Sequence, residues 1–188
     1  MKKNGMITLA SFAALVLAAS PAQALTLKFG GSIGYRTVAD SLVKDIYKSG
    51  GIQAGGFIGL GLGQKLELRA EIGTFKMEGT MLGSDEPLTM SLAPVTTGVR
   101  LQFLNKALRP YAGAGAAFLK YEEKYSERIG NASDSVSGFY GEGGVYVYAG
   151  RHFFLDVNIR YLSAKADGLD SKVELGGIRA GLGLGLRF

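Results

Sequence analysis

The sequence predicts an all-β protein: an eight-stranded antiparallel up-and-down transmembrane β-barrel with a polar, plugged interior. Apolar and polar residues alternate with a period of two through most of the chain after residue 24, as they do in strands with two unlike faces. Short turns alternate with long charged connections, which is typical of a meander that closes on itself. Charged residues and glycines share one face of these strands.

The composition excludes several other classes of protein. The chain has 188 residues, with 29 glycines, 4 prolines and no cysteine. The glycines do not recur at every third position, which excludes collagen, and a hydrophobic content of 47% excludes a disordered chain. Without cysteine, disulfides, zinc-thiolate sites and thiol nucleophiles are excluded. The formal net charge of +5 is small for this length, so nucleic-acid binding is not expected.

The first 24 residues have the features of a cleaved secretory signal peptide. Lys2 and Lys3 form a basic start, an uncharged apolar run follows at 6–19, and a small-x-small pattern predicts cleavage after Ala24. The apolar run is too short for a membrane span, which needs roughly 20 apolar residues. Residues 25–188 are therefore predicted to form the barrel domain.

Eight segments carry the alternation. In the first, Leu27 and Phe29 face away from Lys28 and Arg36, and in the last, leucines alternate with glycines and arginines. The second, fifth and sixth segments are rich in glycine but still alternate. In chain order the predicted strands span residues 25–36, 51–63, 66–75, 95–103, 110–121, 138–149, 153–161 and 178–188.

The connections predict the topology. Those at 63–65, 104–109 and 150–152 are short, whereas the other four are long, polar and charged. An even number of up-and-down strands then places both termini on the side of the short turns. Pro94 lies between Leu92 and Val95, where the apolar phase breaks, and proline cannot donate to a central ladder, so we predict a β-bulge there.

The shared face of charges and glycines predicts which side points inward. Eight strands enclose only enough space for side chains, which suits glycine on the inner wall. Charges of both signs on that wall can pair with one another, as buried charges must. The predicted interior charge network comprises Lys28, Glu67, Arg69, Glu71, Arg100, Glu142, Asp156, Arg160 and Arg179.

Aromatic residues mark the two ends of the apolar face, as the interfacial girdles of membrane barrels do. The pattern leaves open whether Tyr111 and Phe139 join them. The predicted girdle comprises Phe29, Tyr35, Phe103, Tyr121, Phe153, Tyr161 and Phe188.

The mature chain resembles the small eight-stranded outer-membrane barrels of Gram-negative bacteria, of the OmpA transmembrane-domain, OmpX and OmpW kind. The resemblance is most specific at Gly-Leu-Gly-Leu-Gly-Leu-Arg-Phe (181–188) and at Leu-Arg-Pro-Tyr-Ala-Gly-Ala-Gly (108–115). It implies a bacterial outer-membrane protein with both termini in the periplasm, surrounded by membrane lipid and lipopolysaccharide. It also implies a monomer whose terminal Phe188 is read by the barrel-assembly machinery.

Motifs for chemistry are scarce. His152 is the only histidine and lies in a predicted short turn, so a two-histidine metal site is impossible and no catalytic residue is predicted. Neither GxGxxG nor GxxxxGK[ST] occurs, so no nucleotide cofactor is expected.

Three functions follow from the resemblance. A non-enzymatic structural or surface-interaction role through the long loops is expected. An OmpW-like conduit for small hydrophobic solutes is the alternative; it would need an apolar inner gallery, for which Phe57, Phe75, Tyr140 and Tyr146 are the inward candidates. A lipid-modifying barrel enzyme, which would depend on His152, is the third.

Overall fold

A computed structural model describes residues 25–39, 50–80, 87–103, 107–124, 131–167 and 172–188. The predicted cleavage position Ala24 lies outside these residues. Among them no helix is long and apolar enough to cross a membrane. The strands are β1 Leu25–Thr37, β2 Gly50–Leu62, β3 Leu66–Thr80, β4 Pro87–Gln102, β5 Leu108–Lys124, β6 Asn131–Ala149, β7 Phe153–Asp167, β8 Lys172–Glu174 and β9 Gly177–Arg187.

The sheet closes into a barrel of eight antiparallel strands. Each of β1 to β7 pairs with the next strand, β7 also pairs with β9, and β9 pairs with β1. The three-residue β8 pairs with β7 in the same register as β9, so it continues that strand of the wall on the loop side after a break at Leu175 and Gly176. The predicted all-β, eight-stranded, up-and-down barrel with a polar interior is confirmed.

The register fixes the tilt of the strands. Paired residues followed once around the barrel from Arg36 return to β1 at Thr26, ten residues away. A stagger of this size in eight strands requires a tilt of roughly 40°. The lumen is therefore narrow enough to be filled by side chains alone.

Glycines give the inner wall room for large side chains. Gly98 of β4 lies opposite Gly115 of β5, and a methyl group on Gly98 would lie 2.5 Å from the hydroxyl of Tyr140. A methyl group on Gly144 would lie 2.5 Å from the hydroxyl of Tyr111. At these positions the glycines let tyrosines lie flat against the backbone of the adjacent strands.

The short connections lie at one end of the barrel. The β2–β3 and β6–β7 turns contain Gly63 and Gly150, whose φ angles of 66° and 72° favour glycine. The first and last barrel strands also begin and end at this end, where Leu27 and Phe188 exchange two backbone hydrogen bonds. We call it the turn side and the opposite end the loop side.

The predicted β-bulge at Pro94 is wrong. β4 pairs with β3 in one register on both sides of the proline, with Val95 opposite Ile72 and Leu92 opposite Phe75. The apolar phase breaks because Leu92 points into the barrel, where the loop-side interior is itself apolar. The apolar side chains of β4 therefore lie on the inner face before the proline and on the outer face after it, while the strand pairing keeps one register.

The outer wall carries an apolar belt. In β9, Ile178, Leu182 and Leu184 are exposed, while the intervening glycines and Arg179 are buried. The ten-residue step from Ile178 to Phe188, tilted as above, spans roughly 25 Å, the height of the apolar band in outer-membrane barrels.

Most of the aromatics that mark the ends of this belt face outward. Tyr121, predicted in the girdle, instead packs against the loop-side apolar interior, because the odd-numbered residues of β5 point inward. Of the two residues left open, Tyr111 is buried inside and Phe139 is exposed on the outer face. The predicted girdle residues that lie exposed on the outer face are Phe29, Tyr35, Phe103, Phe153, Tyr161 and Phe188.

Candidate functional site in the barrel interior

The interior is built in three layers from the turn side to the loop side. The inward residues of β7 show the order, since Phe154 is followed by Asp156, Arg160 and then Leu162. The first layer, the turn-side aromatic cluster, consists of Phe57, Tyr111, Tyr146 and Phe154. An ionic network lies above it and an apolar cluster lies on the loop side.

Arg100 on β4 is the centre of the ionic network. Its guanidinium donates to both carboxylate oxygens of Glu142, from Nε to Oε1 at 2.6 Å and from Nη2 to Oε2 at 2.9 Å. Its Nη1 donates to Oδ2 of Asp156 at 3.0 Å and to the hydroxyl of Tyr146 at 2.5 Å. Bidentate pairing of this kind is the strongest arrangement available to arginine and carboxylate.

Two further arginines share carboxylates on the loop side of Arg100. Arg160 Nη2 lies 2.9 Å from Oε2 of Glu71 and 2.8 Å from Oε2 of Glu142. Arg179 Nη1 lies 3.1 Å from Oε1 of the same Glu71. Glu71 therefore joins β3 to both β7 and β9 across the lumen.

The turn-side part of the network is built around Glu67. Lys28 Nζ lies 2.6 Å from its Oε2, and the hydroxyl of Tyr146 donates to its Oε1 at 2.8 Å. The Lys28 ammonium also lies 4.3 Å from the centre of the Tyr146 ring, a cation–π contact. Arg69 lies between the two parts, with Nη2 3.3 Å from Oδ2 of Asp156.

The structure brings all nine residues of the predicted interior charge network together on the inner wall. Sequence reasoning missed the tyrosines that complete it. Tyr146 donates to Glu67, and Tyr111 donates to Oδ1 of Asp156 at 2.7 Å. The alternation had already placed Tyr146 on the inner wall, as a candidate for an apolar gallery, but it gave no signal that its hydroxyl would meet the charges of other strands.

This network binds strands together and offers no general acid or base. Each of its carboxylates forms an ion pair with at least one lysine or arginine. A buried carboxylate held in this way has a structural role. In the described part of the chain, no group of three or more metal-ligating side chains lies close enough to hold an ion.

The loop-side interior is apolar, and it contains aliphatic side chains that the sequence pattern did not place inside the barrel. Phe75 and Tyr140 lie there as inward aromatics, but Phe57 and Tyr146 belong to the turn-side cluster. The apolar layer exists because the inward positions on the loop side of the ionic network hold leucines and methionines in β3, β4, β5 and β7. Its buried members are Val38, Phe75, Met77, Met90, Leu92, Ala117, Leu119, Tyr140, Leu162, Ala164 and Leu175.

His152 lies exposed in the β6–β7 turn. Its Nδ1 lies 3.1 Å from the backbone oxygen of Arg187, and its ring centre lies 5.5 Å from that of Phe188. Phe188 in turn stacks on Phe29 at 5.9 Å. The histidine thus packs at the seam between the first and last strands, on the turn side of the barrel.

Comparison with known proteins adds to this geometry. A family model described as outer membrane protein beta-barrel domain matches residues 7–188. No match was found among curated protein sequences.

Three solved structures are similar to the chain. OprG of Pseudomonas aeruginosa has a TM-score of 0.70 at 14% identity, covering 88% of this chain and 97% of its own. Ail of Yersinia pestis, crystallised with the heparin analogue sucrose octasulfate, has a TM-score of 0.60 at 15% identity, covering 88% and 99%. The barrel domain of P. aeruginosa OprF has a TM-score of 0.53 at 22% identity, covering 87% and 97%. At these identities the likeness concerns the fold.

Replacing Arg100 should destabilise the barrel far more than replacing an exposed lysine, because the buried Glu142 and Asp156 would lose the cation that pairs with both of them. We expect Arg100→Met to lower the free energy of unfolding by about 3–5 kcal/mol. Denaturant titration of the barrel in lipid vesicles would measure it, with Lys120→Met, at an exposed lysine, as the matched control. Equal, small effects of both substitutions would contradict the structural role of the network.

Proposed function

Because the chain belongs to the outer membrane protein beta-barrel domain family and is an integral protein of the bacterial outer membrane, we propose a structural and surface-interaction role without enzymatic activity. In this proposal the barrel contributes to envelope integrity and presents its extended loop-side strands and their connections at the cell surface. Both termini then lie in the periplasm, on the turn side.

The observation that carries the proposal is the filled lumen. The cavity between Arg36, Arg160 and Arg179 has a volume of about 10 Å³, the space of a single water molecule. Above and below it lie the loop-side apolar cluster and the turn-side aromatic cluster, both built from buried side chains. A packed interior supports an anchor and display function and weighs against an open pore.

The surface-interaction part is supported by the length of the strands. They run further toward the loop side than predicted, so the expected long connections are wrong in part: only residues 81–86 separate β3 from β4, and only 125–130 separate β5 from β6. These strand extensions, such as β5 to Lys124, carry the barrel wall beyond the apolar belt. Ail, which shares the fold, has been crystallised with a heparin analogue. Contact with an external ligand through the loops is the corresponding proposal for this chain.

The conduit for small hydrophobic solutes remains the second candidate, and one observation favours it. The loop-side interior is apolar and includes two methionines, Met77 and Met90, whose flexible side chains adapt to different neighbours. An apolar solute entering from the loops would meet this cluster first. The ionic network beneath it would block straight passage toward the turn side.

Electrical recording distinguishes these candidates from a water-filled pore. We expect purified, folded protein in a planar bilayer to give no steady conductance, since arginine–carboxylate pairs fill the lumen. A large trimeric porin in the same apparatus serves as the positive control. Discrete, long-lived conductance steps would overturn the filled-lumen reading and remove the main support for the proposed role.

Lipopolysaccharide is the proposed lipid partner on the outer wall. Lys76 of β3 and Lys120 of β5 are exposed on the lipid-facing side, just beyond the apolar belt. Below Lys120 lies a groove of about 310 Å³, lined on its outer side by Val95, Phe118 and Ser137. An ammonium group above an apolar groove suits a phosphorylated lipid, with its phosphate at the lysine and an acyl chain below.

The terminal aromatic has a proposed partner as well. Phe188 is exposed on the outer face at the turn side, where its main chain pairs with Leu27 of the first strand. We propose that the barrel-assembly machinery reads this residue before the seam closes. We also propose that the barrel is a monomer, because β1 and β9 pair with each other and leave no strand edge of the barrel unpaired.

Replacing both outer lysines tests the lipid proposal. We expect Lys76→Gln combined with Lys120→Gln to reduce the lipopolysaccharide retained by the folded barrel severalfold, because two cations at the headgroup level are lost. Native mass spectrometry after detergent extraction would count the bound lipid. Lys65→Gln, at an exposed lysine of a turn-side connection, is the matched control. Unchanged retention in the double variant would contradict the proposal.

A further inference from the structure

The charges inside the barrel do not balance. Among the described residues, the buried cations outnumber the buried carboxylates by six to four. Net charge in a space this poor in water is costly unless a counter-ion or hydrogen bonds compensate it. The cations are Lys28, Arg36, Arg69, Arg100, Arg160 and Arg179, and the carboxylates are Glu67, Glu71, Glu142 and Asp156.

The excess is concentrated at Arg36, on the loop side of the network. Its Nη2 donates to the backbone oxygen of Leu175 at 3.0 Å and its Nη1 to Oε1 of Gln53 at 3.5 Å. Each of the other five cations forms at least one ion pair. Within the part of the chain that the structure describes, Arg36 has neutral hydrogen-bond partners and no carboxylate.

The hydrogen bonding of Arg179 provides a second observation. Its Nη1 pairs with Glu71 and its Nη2 donates to Ser32, but its Nε is buried without a hydrogen-bond partner among the described residues. A buried donor left unsatisfied costs roughly 1–3 kcal/mol. An acceptor bound beside this nitrogen would remove that cost.

Both arginines meet at the same small cavity, together with Arg160. The cavity of about 10 Å³ is lined by the three arginines and by Gln53, Thr96 and Leu162. Pro94 and Gly177 complete the lining, and no carboxylate is part of it. We call it the arginine cavity.

We propose that the arginine cavity binds one small monovalent anion, of the size and charge of chloride. The anion would accept hydrogen bonds from guanidinium groups and offset part of the interior charge. The cavity is close to the volume of one water molecule, so it favours a halide over polyatomic anions such as sulfate or gluconate. The site is independent of the role proposed above, since it concerns how the barrel tolerates its own arginines.

The first test is anion-dependent stability. We expect the thermal midpoint of the folded wild-type barrel in detergent to rise as chloride replaces gluconate at constant ionic strength. A bound ligand stabilises as RT ln(1 + [L]/Kd), so the rise should grow with chloride from about 1 mM to about 100 mM and should follow the logarithm of the chloride concentration above Kd. No difference between the two salts would overturn the proposal.

Two variants separate binding at this cavity from a general salt effect. Arg36→Met removes one excess cation at the cavity and should abolish most of the chloride-dependent shift. Lys65→Met removes an exposed cation in the β2–β3 turn and should keep the whole shift. A shift of the same size in Arg36→Met would contradict the assigned site.

A direct measurement keeps the proposal testable if Arg36→Met does not fold. Crystals of the wild-type barrel grown in bromide should show one anomalous scattering peak in contact with the guanidinium groups of Arg36 and Arg179. Density in the cavity without an anomalous signal would identify water and overturn the proposal. A bromide peak at other sites alone would do the same.

Discussion

Within the hydrocarbon of a membrane, every backbone N–H and C=O group must find its partner inside the protein, because no water is available to replace it. This chain meets the constraint by pairing β1 with β9 and leaving no free edge in the barrel. Closure with eight strands and a ten-residue stagger makes the cylinder narrow. Much else about the molecule follows from that narrowness, including its many glycines.

A narrow lumen must be filled, and the way it is filled changes along the barrel axis. Tyrosines and phenylalanines pack the turn side, arginine–carboxylate pairs fill the middle, and leucines and methionines fill the loop side. The charges are tolerable because most of them are paired across the lumen by groups from distant strands. The imbalance at Arg36 is the exception, and it coincides with the cavity to which we assign an anion. The same packed and paired side chains thus stabilise the barrel and fill its lumen.

Local geometry made the strands and their faces predictable. Because successive side chains of a strand point to opposite sides, the parity of Glu67, Arg100 or Asp156 was enough to place them on the inner wall. Parity does not report what surrounds an inward residue, which depends on the register and stagger of other strands. Tyr121 was therefore assigned to the outer girdle, and the phase break after Leu92 was assigned to a bulge, although both residues complete an apolar layer inside. The hydroxyl partners of the network were missed for the same reason, since Tyr146 meets Glu67 only across the lumen.

The central claim is that leucines face lipid while charges and glycines face the lumen, and one substitution tests it most directly. Leu184 is exposed in the middle of the apolar belt, whereas Thr74 is exposed near the loop-side boundary, next to Lys76 in the same outward row. In lipid vesicles, Leu184→Arg should lower the free energy of unfolding by about 2–4 kcal/mol and Thr74→Arg by at most about 1 kcal/mol. Leu184→Arg folding with the stability of the unmodified barrel would contradict the assignment of the two faces.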